Sequence, residues 1–289
     1  MKHIRYFFEA ILLYSLFIFF KALPPQRASD IGGWLGRTIG TKLAANRKAR
    51  RHIAMAMPET TQEQQDDIIR GMWDNLGRII AEYPHLERLG QRYTTIENKE
   101  LLSQYIDDER PIIFIGGHIG NWEINSAATL MQLNHAVNLT YRAPNNPWTD
   151  KLLEKARTLN GRLKAFPKAR QSGRLLIETL KQRGSLGILV DQKYNEGMDI
   201  DFFGLPAMTN PVFVQLAQKY KCLLVPVRCV RVNGCNFTLQ AYPAIDLFDD
   251  ENNARKTDDV IKQTHAILEN WIKEKPEQWL WLHRRWKDI

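Results

Sequence analysis

Apolar and polar positions along this chain switch repeatedly between a strand-like and a helix-like period. The continuous apolar run Ile112-Ile113-Phe114-Ile115 reads as a buried strand, and the pattern from Asn121 to Leu133 reads as a helix. The succession then repeats. Val137–Tyr141 is followed by a helix over Pro147–Leu159, a helix over Gly173–Gln182 leads into Leu186–Val190, and a helix over Pro211–Tyr220 leads into Leu223–Val230. Phe237–Tyr242 returns as a hairpin, because Asn233-Gly234 is a turn dipeptide. Upstream, Asp30–Ala45 and Arg47–Met57 read as short helices. Thr60/Thr61 with Glu63/Gln64 offers a capping-box start for a helix toward Tyr83, and the last helix runs over Asp258–Lys273. Strands alternating with helices predict an α/β fold: a mostly parallel sheet sandwiched by helices.

The first turns of the chain break this pattern. Tyr6 to Phe20 is apolar and aromatic except for Glu9 and Ser15, with Lys2, His3 and Arg5 before it and Lys21 after. Lys21-Ala22-Leu23-Pro24-Pro25 has no small-x-small cleavage site, so an uncleaved membrane-anchor helix is expected rather than a signal peptide. A spanning helix needs ~20 apolar residues, which leaves this one between spanning the bilayer and lying in its interface; a buried core helix is the plainer alternative. The division expected is an anchor over 1–25 and one domain over 26–289. Arg27, Arg37, Lys42, Arg47, Lys48, Arg50 and Arg51 follow the anchor, which by the positive-inside rule puts the body on the cytoplasmic side of the membrane.

Composition narrows the partners. The net charge is +8 over 289 residues, which favours phosphates, anionic lipid surfaces or acidic proteins. No zinc-finger spacing, RNA-recognition motif or helix-turn-helix signature supports nucleic acid. Three sparse cysteines, Cys222, Cys229 and Cys235, fit a reducing compartment and lack metal-site spacing.

The chemistry concentrates in Gly116-Gly117-His118-Ile119-Gly120-Asn121-Trp122-Glu123. With His118 in a turn after the strand and Glu123 in the first helical turn, the two side chains can converge at the strand's carboxyl end. A carboxylate on one imidazole nitrogen fixes the tautomer and leaves the other nitrogen as a base. His118 is also readable as a structural polar residue or a metal ligand, and Glu123 as a carboxylate favoured by the helix dipole. The glycines suit free N–H groups that bind a phosphate or an oxyanion, and Asn121 suits a cap. Asp191 and Arg142 end strands on the same edge, where ligands of parallel sheets gather; a buried acceptor or cap is the other reading of Asp191. Lys164, Lys168, Arg170 and Arg174 form a basic cluster, and Trp279, Trp281 and Trp286 suit packing or membrane-interface anchoring.

The His-x4-Glu motif in this setting resembles the lysophospholipid-acyltransferase superfamily, and Gly117 to Glu123 resembles its late acyltransferases of lipid A biosynthesis. The likeness extends through Tyr141-Arg142 with Asn146-Pro147, Val190-Asp191-Gln192, and Phe202-Phe203-Gly204-Leu205-Pro206-Ala207. It ends in Gln278-Trp279-Leu280-Trp281-Leu282-His283-Arg284-Arg285-Trp286-Lys287. Tyr141-Arg142-Ala143-Pro144 stands where the family often has Tyr-Arg-Pro, and Asn210-Pro211 where a glycine is more usual; both bear on pocket shape. The resemblance implies His118 as general base and Glu123 as its orienting partner. Arg157, Arg142 and Asp191 would serve as substrate-binding groups. It implies acyl carrier protein as donor, a lipid A precursor as acceptor, and no metal or nucleotide. Acylation of another glycolipid or phospholipid, or a non-catalytic lipid-binding protein, are the competing readings.

Overall fold

The computed structural model describes residues 2–167 and 172–286, so Lys168 and Arg170 of the basic cluster, and Lys287, lie outside the described residues. The first part of the chain is helical: α1 (Lys2–Ala22), α2 (Pro25–Leu35) with a π-helical turn over Gly36–Gly40, α3 (Asn46–Ala56) and α4 (Gln62–Glu82). Thr61 and Gln64 cap α4 reciprocally, as the capping-box reading expects. A 3-10 turn, Tyr83–His85, leads to α5 (Leu86–Arg92), β1 (Thr94–Glu97) and α6 (Lys99–Asp107). The alternating region follows: β2 (Ile112–Gly116), α7 (Ile124–Leu133), β3 (Val137–Tyr141), α8 (Pro147–Arg157), β4 (Ala165–Pro167), α9 (Ser172–Lys181) and β5 (Ser185–Leu189). Then come β6 (Met198–Phe202), β7 (Leu205–Thr209), α10 (Val212–Lys219), β8 (Leu223–Asn233), β9 (Asn236–Ala241) and α11 (Thr257–Glu274).

Seven strands form one sheet in the order β1-β9-β8-β2-β5-β3-β4. β2 pairs in parallel with both β5 and β8, and β3 in parallel with β5 and β4. The β8–β9 hairpin reverses the direction, and β1 joins β9 in parallel. The sheet is therefore mostly parallel, with helices on both faces. One face carries α5 and α7 over Ile112, Phe114, Val225 and Leu239; the other carries α10, α11 and the β6–β7 hairpin over Ile113, Ile115 and Leu224. The alternation of neighbours along β2 between these two cores is the period-two rule at work on a strand buried on both sides.

Several expectations shift. The helix expected from Asn121 begins at Ile124, and the one expected from Asp30 begins at Pro25, whose missing N–H costs nothing at a helix start. The short strands β1, β4, β6 and β7 were not foreseen. Trp279, Trp281 and Trp286 are buried, so they pack the core and do not anchor to a membrane. All three cysteines are buried and free.

No helix among the described residues is long and apolar enough to cross a membrane. That counts against a transmembrane α1. Instead α1 lies against the body through Tyr6, Ala10 and Phe20. The Asn146 side chain donates to the Tyr6 carbonyl at 2.8 Å, and His85 Nε2 to the Phe20 carbonyl at 2.9 Å. Its opposite side exposes Phe7, Phe8, Ile11, Leu12, Ile18 and Phe19.

The β6–β7 hairpin is locked to the rest of the fold by a buried histidine. His265 on α11 donates from Nδ1 to the Asp201 carbonyl at 2.6 Å, so its Nε2 accepts from Arg285 at 3.1 Å. Burial, then the charge of Arg285, lowers the His265 pKa to about 4. The unfolded chain binds this proton below its ordinary value near 6.5, whereas the folded chain resists it until about 4. Stability is thus complete above ~6.5 and falls as pH drops toward 4, by ~3 kcal/mol from this group. Urea unfolding between pH 7 and 4 should show that loss and His265→Gln should flatten it; a wild-type stability constant over that interval would refute the assignment.

Candidate active site

Parallel pairing sets Gly116 at the end of β2 opposite Leu189 at the end of β5. Two residues beyond each lie His118 and Asp191, and the register brings them together. His118 donates from Nδ1 to Asp191 Oδ1 at 2.7 Å, while its backbone N–H donates to Oδ2, also at 2.7 Å. The Trp279 indole N–H adds a third bond to Oδ2 at 2.8 Å. Asp191 is buried, and burial alone would raise its pKa. The charge and hydrogen bond of His118, the charge of His283 and the His118 N–H outweigh that and hold the carboxyl well below the ordinary range. In the neutral ring, the bond to Oδ1 selects the tautomer with the proton on Nδ1 and turns the Nε2 lone pair away from Asp191. It accepts from the Gln192 amide at 3.2 Å, and the same amide nitrogen donates to His283 Nε2 at 3.1 Å.

Glu123 does not take the position expected beside His118. Its carboxylate receives Arg157 Nε and Nη2, each at 2.7 Å, the Tyr83 hydroxyl at 2.5 Å and the Trp122 indole at 3.2 Å. Arg157 Nη2 also donates to the Tyr83 oxygen at 2.9 Å. Burial raises the Glu123 pKa, but the Arg157 charge and these hydrogen bonds reverse the shift, so it is an anion. Burial and then the Glu123 charge push the Tyr83 hydroxyl upward, so it stays a donor. Arg157, expected as a substrate-binding group, is instead largely buried in a fork-to-fork clamp on Glu123. The Trp122 ring links the two carboxylate clusters, edge-on to His118 with centroids 4.9 Å apart.

Most N–H groups of the glycine-rich turn, expected to be free, are already taken. Ile119 N–H donates to the Gly117 carbonyl, Gly120 N–H to Gln278, Asn121 N–H to Cys229 and Glu123 N–H to the Asn121 side chain. Gly120 sits at φ +58, where a Cβ would meet the Cys229 carbonyl oxygen at 1.9 Å; only glycine serves there. Beneath the turn, Glu82 receives both Arg231 Nη1 and Nη2 and the Asn121 amide, while Asn75 donates to the Gly120 carbonyl. Asn121 thus anchors the turn and does not cap α7.

A cavity of about 300 Å³ opens at His118, Gln192, His283 and the exposed Arg142, and continues between α7 and the sheet. Its inner wall is largely apolar, with Phe114, Leu139 and Val137 around Gly187, whose missing side chain leaves room in the middle of the sheet. Among the described residues no cluster of three His, Cys, Asp or Glu could hold a metal ion. Of the residues singled out in the sequence, His118 and Asp191 meet directly, Glu123 and Arg157 meet each other, and Arg142 stands at the rim. Tyr83, Gln192 and His283 were not foreseen. His283 lay within the C-terminal motif, but only the fold shows it against the imidazole of His118, with centroids 4.7 Å apart.

The profile of a family described as bacterial lipid A biosynthesis acyltransferase matches residues 1–288. The chain is also similar to a lipid A biosynthesis palmitoleoyltransferase of Escherichia coli (strain K12) and a lipid A biosynthesis acyltransferase of Shigella flexneri. It is 24% identical to each over 252 residues, covering 83% of this chain and 78% of the relative.

The two carboxylates should separate experimentally. Asp191→Asn should lose the single Nδ1–H tautomer of His118, read by nitrogen NMR of the imidazole. Glu123→Gln should leave that tautomer in place and lower stability by ~3–5 kcal/mol, because it strands the buried Arg157. A wild-type tautomer in Asp191→Asn would refute the division.

Proposed function

The chain belongs to the bacterial lipid A biosynthesis acyltransferases, and on that premise we propose that it moves a fatty acyl chain from acyl carrier protein to a hydroxyl of a lipid A precursor, with His118 as the general base. The observation that carries this reading is the bond from His118 Nδ1 to buried Asp191, which makes Nε2 the nitrogen that faces an apolar cavity as the base. The acceptor hydroxyl would displace the Gln192 amide and give its proton to Nε2 as its oxygen attacks the thioester carbon. Collapse of the tetrahedral adduct then breaks the carbon–sulfur bond, and the imidazolium returns the proton to the departing thiolate. No acyl-enzyme is needed. Asp191 would stabilise the imidazolium, the role a triad carboxylate plays for its histidine. That role moves from Glu123 to Asp191. Glu123 and Arg157 would instead hold the wall of the site, leaving Arg142 to meet a phosphate or the developing oxyanion.

General-base contributions are typically ~10²–10⁴-fold, so a folded His118→Ala variant should lose turnover on that scale. The assay supplies purified enzyme with acyl carrier protein thioester and, in parallel, a lipid A precursor and a glycerol phosphate lipid. Wild-type-like rates for His118→Ala would remove the base assignment. Acylation of the glycerol phosphate lipid alone would remove the acceptor assignment and leave the chemistry.

The site would work at a membrane, with α1 lying in the interface. What supports this is the two-sided helix: one side is packed on the body and the other bares aromatic and aliphatic side chains. Phe8→Glu with Leu12→Glu, both exposed, should release much of the protein from vesicles, and residual binding through the basic surface should fall with salt. Unchanged co-sedimentation of this double variant at high salt would exclude α1 as the lipid-facing element.

A further inference from the structure

We infer that the cavity is shaped for an acyl donor bearing a hydroxyl near its carbonyl end, a β-hydroxyacyl chain; this rests on the acyl-transfer reading of the site. The argument starts from four polar side chains in a mostly apolar wall. Asn125, Ser126 and Thr129 on α7, and Thr140 on β3, all line the cavity. Two of them are spent on the backbone: the Thr129 hydroxyl donates to the Asn125 carbonyl at 2.8 Å, and the Thr140 hydroxyl to the Gly187 carbonyl at 3.4 Å. The other two are not. Ser126 is only 2% exposed, yet its Oγ has no hydrogen-bond partner, and the buried Asn125 Oδ1 has none either.

A helical serine ordinarily spends its hydroxyl on the carbonyl one turn back, as Thr129 does here. That Ser126 does not, beside a second unpaired acceptor in the same cavity, points to a ligand group that pairs with both. Asn125 Oδ1 only accepts, whereas Ser126 Oγ donates and accepts. A hydroxyl matches them: it donates to Asn125 and accepts from Ser126. An unbranched hydrocarbon matches neither, and would leave both atoms buried and unpaired.

Position assigns the hydroxyl to the carbonyl end of the chain. β2 and β3 are consecutive and run in the same direction, so α7 descends from the carboxyl edge of the sheet, where His118 stands, toward the opposite edge. Asn125 and Ser126 occupy its first turn and Thr129 the next, ~5 Å further in. Beyond them the wall is Phe114, Gly187 and Leu139, a single row across three strands with nothing polar to offer a mid-chain substituent. Sites built around a hydroxyl reject the analogue lacking it more strongly than apolar pockets reject an added one.

The test uses the full-length protein with a lipid A precursor. It compares kcat/KM for a β-hydroxyacyl thioester and an unsubstituted acyl thioester of equal length on acyl carrier protein. A preference of about tenfold or more for the hydroxylated donor is expected, and Ser126→Ala and Asn125→Leu should each drive that ratio toward one. Calorimetry of the wild-type protein with the free β-hydroxy and unsubstituted fatty acids, without acceptor, should give the same ranking. If neither thioester is turned over but the ranking in binding stands, the acyltransferase reading fails and the donor assignment with it, while the cavity's preference for a hydroxylated chain is upheld. Equal use and equal binding of the two chains by the wild type would overturn it. So would variants that slow both donors alike, which would hand the polar pair to the carrier arm.

Discussion

One buried carboxylate ties the site to the fold. Asp191 receives the imidazole and the backbone N–H of His118 and the indole of Trp279, joining the ends of two central strands to the C-terminal segment. An isolated carboxylate in that position would pay a large desolvation cost. Three donors and a neighbouring imidazole remove it, and each bond also fixes something useful. The ring bond selects the tautomer, the backbone bond sets the turn, and the indole bond seats Trp279 in the core. The C-terminal segment then closes over the turn, with the Leu280 N–H on the His118 carbonyl and the Gly120 N–H on the Gln278 carbonyl.

The second carboxylate solves a different problem. Glu123 stands at the start of α7, where the dipole favours an anion, but it is buried, and a helix terminus alone would not offset that. Arg157 reaches it from the last turn of α8 and Tyr83 from the 3-10 turn after α4. The clamp therefore joins three separate elements around one wall of the cavity. A buried ion pair of this kind adds little net stability compared with apolar packing, yet breaking one side is costly. Its effect is to make the wall's position all-or-none, which would suit the proposed role of the cavity in holding a flexible chain against His118.

How far the sequence reached follows from what each signal measures. Periodicity reports burial, so the apolar strands β2, β5 and β8 and the helices beside them were legible; β6 also carries a signal, Met198, Ile200 and Phe202 alternating with Asp199 and Asp201, and went unread. The capping box at Thr61 is local chemistry and was readable in place, while the hairpin turn lies one residue beyond the expected Asn233-Gly234, at Gly234-Cys235 between paired Asn233 and Asn236. The partner of His118 was not, because proximity along the chain favoured Glu123 at five residues' distance over Asp191 at 73. The signal for the true neighbour was the parallel register: each residue stands two positions past the end of adjacent strands. Sequence put both on one sheet edge but could not give the strand order. The glycine turn misled for a related reason. Its N–H groups looked free to meet a ligand, but Gln278 and Cys229, both distant in sequence, take those of Gly120 and Asn121.

The same geometry bears on how a lipid substrate would reach the base. α1 is seated on the two elements that supply the Glu123 clamp: His85, in the 3-10 turn with Tyr83, holds the carbonyl of Phe20, and Asn146, capping the helix that ends in Arg157, holds that of Tyr6. Phe7 packs edge-on against Trp148 in the first turn of α8, with centroids 6.4 Å apart. The apolar side of α1 is thus fixed relative to the cavity wall through hydrogen bonds to its backbone, which specify a position along the helix as well as a face. A spanning helix would have to give up these bonds, and the buried Asn146 amide and His85 ring would be left without partners. An interfacial helix keeps them. Lying flat on a membrane would therefore cost the fold nothing, and would hold the clamp, the cavity wall and the exposed apolar side chains of α1 as one piece.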